Sequence, residues 1–480
     1  MKGSNTVMIR KKYIYIIIIG ILLAYFVSSS LINSANTGIV KFTRDNLPTE
    51  LKKKLKGTIF IIPSMKKKIR FLDEDIKKLK TSLSYQKSVI SSFINKETYG
   101  KIITDKTIVS KNKKEYSLTS YILPFYNLEN FYKNKKQGYL EIYDDQIITI
   151  FQSGKIVTLN KNLLKDKKFI SKEIKNNLDN YLIDHNLKWT GIKDAKIYND
   201  QIFLSYTKNN LDGCYSVAIV SAKINFEKLD FKDFFSFDDC VDVETIESFS
   251  KRKYFGGWQA GGRIEILNKN EMLLTVGDYK MLNLPQDDKS SFGKIISINM
   301  NTKISKFISK GHRNPQGLFY DKEKNILVST EHGPQGGDEV NVIKINNDKI
   351  ANYGWPVASY GTHYPSVNVN KLVKKIAPLH KSHSKYGFLE PIIEFTPSLG
   401  ISQIIKNYYS KNDYNYYVSS LKDMSINEIE FNKNLNEAVK KDLIQFDERI
   451  RDLVYDEVFK TYYIFFENTP KIGVLKRVEK

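Results

Sequence analysis

From about Tyr139 to the C-terminus the chain alternates short apolar runs with polar punctuation. YLEIYDDQIITIF from Tyr139, KIYNDQIFLSYT from Lys196 and GLFYDKEKNILVST from Gly317 share one layout. Each reads as strand, polar turn of two to four residues, strand, which is the hairpin pattern. The phrase returns roughly every 40–60 residues, a spacing that suits blades of four strands better than a two-sheet sandwich. The pattern predicts an all-β body of propeller type over 138–480.

Helical periodicity is strong only near the N-terminus. Ile62, Met65, Ile69, Leu72, Ile76, Leu79, Leu83, Gln86, Ile90 and Phe93 alternate by three and four. Nine of these ten seam positions are apolar, which predicts a coiled-coil-like stalk over 61–96 with Gln86 fixing register. A single amphipathic helix lying on its own body is the alternative. Weaker helical patterns occur at 161–183 and 434–445. Ahead of the stalk, Lys2, Arg10, Lys11 and Lys12 precede an apolar run from Tyr13 that fades towards Ile32. About 20 residues cross a bilayer, and the basic flank favours a cytoplasmic N-terminus. The expected plan is a basic segment 1–12, a signal-anchor 13–32, a linker 33–60, the stalk, a linker 97–137, then the body. It places a single-pass protein in the inner membrane with its body on the periplasmic, extracytoplasmic side. The small residues Ser28–Ser30, Ser34 and Ala35 keep a cleaved signal peptide open.

The net charge of +22 suggests nucleic acid until its distribution is read. Residues 1–100 hold 19 Lys and Arg against 6 Asp and Glu, so +13 belongs to that segment and +9 to the other 380 residues. No nucleic-acid motif accompanies it, so no nucleic-acid partner is expected. Cys214 and Cys240 are the only cysteines. Export permits a disulfide between them, and two buried thiols are the alternative.

Three clusters concentrate unusual chemistry: GHRNPQG (311–317), EHGPQGGDE (331–339) and NYGWP (352–356). Tight turns explain their glycines but not the acidic pair Asp338–Glu339. In this order and spacing, supported by GGRIEI (261–266), VGD (276–278), GKI (293–295) and ERIRD (448–452), they resemble the soluble-type quinoprotein sugar dehydrogenases, the glucose/sorbosone dehydrogenase family. The resemblance covers about 138–478. It implies a six-bladed β-propeller holding pyrroloquinoline quinone (PQQ) and calcium at one face, with a sugar or related alcohol as substrate.

PQQ is a flat ortho-quinone with three carboxylates, which calls for forked cations. Arg449 and Arg451, two apart on a strand, project from one face. By resemblance they bind cofactor carboxylates, with Lys422 as a third cation. Ordinary ion pairing is the alternative for all three. Arg313 and Asn314 match positions that contact quinone and substrate. The resemblance further implies calcium ligation by carbonyls of Gly333 and Pro334, and a second calcium at Glu339 and Tyr353. One position departs from the pattern. The family's general base is a histidine four residues before the arginine of GGR, and here that position is Gln259. A glutamine amide has no useful basicity near neutral pH. The implied activity is hydride transfer from an aldose or related alcohol to PQQ. The alternative is a non-catalytic propeller that binds a carbohydrate or protein ligand, displayed in several copies by self-association through 62–93.

Overall fold

The computed structural model describes residues 102–123, 137–165, 169–182, 189–210, 213–242, 255–345, 349–365, 369–469 and 471–478, together with Leu72, Asp75 and Ile76. Within them the strands form six sheets, each of four or five strands. Every sheet is a blade entered through its innermost strand: Gly138–Tyr143 (blade 1), Ile192–Tyr198 (blade 2), Gly261–Asn268 (blade 3), Pro315–Asp321 (blade 4), Ile401–Lys406 (blade 5) and Ile450–Asp456 (blade 6). Each innermost strand packs on the next, and that of blade 6 packs on that of blade 1, which closes the ring. The body is therefore a six-bladed β-propeller, as the sequence predicts.

Alternating side chains meet between blades. Tyr139, Ile148 and Ile150 of blade 1 pack with Ile192, Ile202 and Leu204 of blade 2. Phe203, Val217 and Ile219 of blade 2 pack with Ile264, Met272 and Leu274 of blade 3. Middle strands are buried on both faces, which accounts for their continuous apolar runs. All six side chains of Thr461–Phe466 are buried. Burial on this scale contributes roughly 2 kcal/mol per large apolar side chain.

Several expectations change. The linker placed at 97–137 contains two strands, Ile102–Val109 and Glu115–Ile122. Glu115–Ile122 pairs antiparallel with Lys471–Arg477, so both ends of the body complete blade 6. EYSLTSYI alternates as a half-buried strand should, and Tyr116 and Leu118 enter the blade core. The weak helical pattern at 434–445 is mostly the strand Ala438–Gln445, whose exposed outer-edge position lets polar residues mimic a helical period. Among the described residues of 161–183, an α-helix spans Lys161–Lys165, the strand Ser171–Asn176 follows, and a 3-10 turn covers Leu178–Asn180. The chain divides after Gln86 into two units. In the first, Leu72, Asp75 and Ile76 are helical with exposed side chains. The rest of the stalk and the anchor 13–32 lie outside the described residues. Among those described, no helix is long and apolar enough to cross a membrane.

Cys214 and Cys240 form a disulfide with Cα atoms 5.4 Å apart. It ties the strand Cys214–Lys223 to the loop beyond Lys232–Ser236, beside a bridge between Tyr215 and Val241. Asp239 of that loop accepts from the Ser291 backbone (2.8 Å) and hydroxyl (2.6 Å).

Candidate active site

The first residues of the inner strands surround one mouth of the central channel. Tyr139, Lys193, Gly261, Gln316 and Arg451 come from five inner strands, and Leu421 comes from a turn of blade 5. They line a cavity of about 400 Å³. Beneath it Arg263 bridges four blades. Its Nη1 donates to Asp194 (2.9 Å) and Asp452 (2.8 Å), its Nε to the Gln316 carbonyl (2.6 Å), and its Nη2 to the Arg451 carbonyl (3.2 Å). This buried guanidinium, held by four hydrogen bonds, ties the inner strands together next to the cavity-lining Tyr139 ring.

Among the described residues five cations line the cavity, Lys193, Lys280, Arg313, Arg449 and Arg451, with no aspartate or glutamate. Trp189, Trp258 and Trp355 add flat apolar faces, and Lys280 Nζ lies 4.0 Å from the Trp258 ring centre. Such a wall suits a flat anionic ligand, because cations take its carboxylates and indoles take its rings.

Arg449 and Arg451 both reach this wall, and both meet Glu467. Arg451 donates from Nε (2.8 Å) and Nη2 (2.6 Å), while the half-exposed Arg449 makes longer contacts of 3.4 Å. Burial acts to raise the Glu467 pKa, but the Arg451 and Arg449 charges outweigh it and hold the carboxylate below its ordinary range. The arginines are therefore ion-paired and still face the cavity. Lys422 is not among the described residues that line the cavity. The turn after the strand Asn415–Ser420 directs Leu421 to the wall, and Lys422, one residue further, has an exposed side chain.

Arg313 spans the wall. Its Nη1 donates to the carbonyls of His332 (2.9 Å) and Gly333 (2.7 Å), and its guanidinium lies over Trp355 (5.3 Å) and Tyr364 (6.0 Å). Asn314 Oδ1 accepts from Gln316 Nε2 (3.0 Å) and weakly from the Gly261 backbone (3.4 Å). Gln259 sits where chain curvature is extreme, at φ 61° in the left-handed region. In the amide orientation that satisfies both ends, its nitrogen donates to Asp278 Oδ1 (2.5 Å) and its oxygen accepts from Arg313 Nη2 (2.7 Å). Asp278 also accepts from Trp355 Nε1 (2.7 Å). Burial raises its pKa to about 6 despite the opposing Arg313 charge.

The expected calcium donors are less uniform. Because the Gly333 carbonyl already accepts from Arg313, a guanidinium stands where the resemblance puts a metal. Pro334 lines the cavity. Glu339 fits a cation better: it is buried opposite Glu331 across a strand pair, and burial followed by the Glu331 charge pushes its pKa well up. Tyr353 is buried nearby in the chain order of blade 4, its hydroxyl donating to the Val342 carbonyl (2.7 Å). Among the described residues no three His, Cys, Asp or Glu side chains are grouped to hold a metal.

A model described as glucose/sorbosone dehydrogenase matches residues 190–469. The chain belongs to the glucose/sorbosone dehydrogenase family. An aldose sugar dehydrogenase of Escherichia coli is 24% identical over 273 residues, 53% of this chain and 67% of that one. The quinoprotein glucose dehydrogenase B of Acinetobacter calcoaceticus is 30% identical over 154 residues, 27% of this chain and 30% of that one. The chain spans 57% of a further relative, an uncharacterised protein of Synechocystis, at 26% identity over 47% of its own length. The crystal structure of a soluble aldose sugar dehydrogenase from E. coli, in apo form, superposes with a TM-score of 0.57 and 19% identity, covering 72% of this chain and 97% of that one. That likeness concerns the fold.

Sequence reasoning about the family motifs missed four residues that the fold makes central. Asp278 was visible only as part of VGD. Glu467 follows an apolar strand and carries no local signal. Arg263 belongs to GGR, but its partners lie 53 to 189 positions away. His363 lies in the long excursion between the strands Asp338–Lys344 and Ile393–Phe395, which also brings Trp355 and Tyr364 to the cavity.

Proposed function

We propose that the chain is a quinoprotein dehydrogenase that oxidises an aldose or related alcohol, with PQQ as hydride acceptor. The observation that carries this reading is the charge of the wall. Among the described residues five cations line it; Glu467 pairs with Arg449 and Arg451, and Asp278 is linked to Arg313 through Gln259. Among the described residues the wall keeps a surplus of positive charge, which suits a cofactor with three carboxylates. Bound PQQ supplies an ortho-quinone that takes the hydride. The protein supplies binding and orientation: Arg449 and Arg451 hold carboxylates, Arg313 and Asn314 present donors to the reacting oxygens, and the tryptophan faces exclude water. For calcium, Glu339 offers a buried carboxylate and Tyr353 a neighbouring carbonyl. Gly333 and Pro334 offer carbonyls beside them, that of Gly333 sharing its lone pairs with Arg313. The reading includes tethering through 13–32 and self-association through 62–93, which would set the propeller outside the cytoplasm, where its disulfide is favoured.

The test is reconstitution of the purified full chain with PQQ and Ca²⁺, followed by absorbance titration and dye reduction across a panel of aldoses. Quinone uptake with sugar-dependent reduction is expected. No uptake by absorbance or calorimetry overturns the cofactor assignment. Uptake with no reduction by any sugar overturns the dehydrogenase and leaves a binding role.

A further inference from the structure

Removing hydride from a hydroxyl-bearing carbon requires a proton acceptor within hydrogen-bond reach of that hydroxyl. The Gln259 amide cannot serve, because its oxygen is taken by Arg313 and its nitrogen has no basic lone pair. Two imidazoles line the cavity, those of His332 and His363. His332 lies between buried Glu331 and Gly333, and its Nε2 is bonded to the Ile401 carbonyl. It belongs to the inner wall. His363 lies at the mouth, flanked by the exposed residues Thr362, Tyr364 and Pro365.

We propose that His363 is the proton acceptor of the dehydrogenase reaction; the inference rests on the function proposed above. Its place is built. Thr362 exchanges two backbone hydrogen bonds of 2.9 Å with Gln335, which pins the segment to the EHGP loop. His363 Nε2 lies 2.9 Å from the Ala377 carbonyl at the end of the helix Lys371–Ile376. A carbonyl only accepts, so Nε2 carries the proton and Nδ1 carries the lone pair. Among the described residues none is hydrogen-bonded to Nδ1. The next side chain, Tyr364, has its ring 6.0 Å from the Arg313 guanidinium, whose Nη2 holds Gln259. His363, Gln259 and Arg313 line the same cavity.

In the step, the substrate hydroxyl proton passes to His363 Nδ1 and gives an imidazolium. With PQQ bound, the carbon's hydride would leave with its electron pair to the ortho-quinone as the C–O bond becomes C=O. The imidazolium then releases its proton to water at the mouth.

Two measurements on the full chain test the assignment. In ¹⁵N-histidine-labelled protein without cofactor, His363 is expected as the Nε2–H tautomer; an Nδ1–H tautomer overturns the proposal. In PQQ-loaded protein, sugar-driven bleaching of the quinone is followed for wild type, His363→Gln and His363→Ala. Glutamine keeps an N–H donor for Ala377 without basicity. Unchanged PQQ uptake and thermal midpoint are expected, with bleaching slowed on the order of 10²-fold and added imidazole restoring part of it in His363→Ala. Bleaching of His363→Gln within twofold of wild type overturns the role of His363 alone. Wild type that takes up PQQ but is bleached by no sugar overturns the dehydrogenase reading, and this proposal with it.

Discussion

The Gln259 amide nitrogen lies 2.5 Å from Asp278 Oδ1, while its oxygen lies 2.7 Å from Arg313 Nη2. An imidazole beside a carboxylate forms an oriented base; an amide there forms a clamp between an acid and a guanidinium. Gln259→His places an imidazole beside Asp278 and Arg313. Combined with His363→Ala in PQQ-loaded protein, this substitution is expected to restore sugar-dependent dye reduction by about 10²-fold, because it replaces the base that His363 supplies. An unchanged rate with retained quinone uptake would show that the position does not limit the reaction.

Asp278 gives the clamp a pH dependence. Its native pKa of about 6 exceeds the ordinary carboxylate value because the group is buried. Between the two values the unfolded chain ionises while the native protein keeps its proton. Stability from this group is therefore present below pH 4, falls as pH rises, and is lost above about pH 6. The difference corresponds to about 3 kcal/mol. Asp278→Asn, which imitates the protonated acid, is expected to flatten this part of the urea-unfolding profile between pH 4 and 7. A profile parallel to wild type refutes the assignment.

Arg449 and Arg451 share Glu467 unequally, and their substitutions should separate. Arg451→Ala leaves a buried carboxylate with one weak, half-exposed partner and is expected to cost roughly 3 kcal/mol of folding stability. Arg449→Ala is expected to cost under about 1 kcal/mol. Both are expected to weaken PQQ binding, read by absorbance titration. Equal stability losses in the two variants would contradict the geometry.

Closure of the ring predicts where the chain tolerates shortening. A chain beginning at residue 101 keeps both strands that complete blade 6. One beginning at residue 124 loses the partner of Lys471–Arg477 and the buried Tyr116, Leu118 and Tyr121. At roughly 2 kcal/mol for each of these side chains, the shorter form is expected to be unfolded or to melt far below the longer one. Equal melting temperatures would place ring closure elsewhere.

The disulfide closes a loop of 26 residues. Cys214→Ser with Cys240→Ser is expected to lower stability by roughly 3 kcal/mol, since the unfolded chain regains loop freedom. The disulfide-free protein is also expected to lose order around Ser290–Ser291, which Asp239 holds, measurable as faster amide exchange there. Protection unchanged at those residues would separate the bridge from that loop.

Much of the site was legible because its signals are local. A strand alternates with period two, so Arg449 and Arg451 could be set on one face before any fold was known. The GHRNPQG and EHGPQGGDE clusters marked the loops that carry Arg313 and Gly333. One residue of turn geometry puts Leu421 on the cavity wall and leaves Lys422 exposed beside it, which no local pattern reports. The strand at 102–109 was read as linker because its partners are at the other end of the chain.

The amino-acid pattern by itself determined the β-rich blades, the family and the presence of an amide at position 259, since hairpin alternation and motif spacing are properties of neighbouring residues. The tertiary structure decided how the ends close the ring, that Glu467 counters both arginines, that Arg263 ties the inner strands together, and that His363 reaches the mouth from a distant excursion. Those relationships join residues tens to hundreds of positions apart. They exist only once hydrophobic burial between blades has brought six strand ends around one axis.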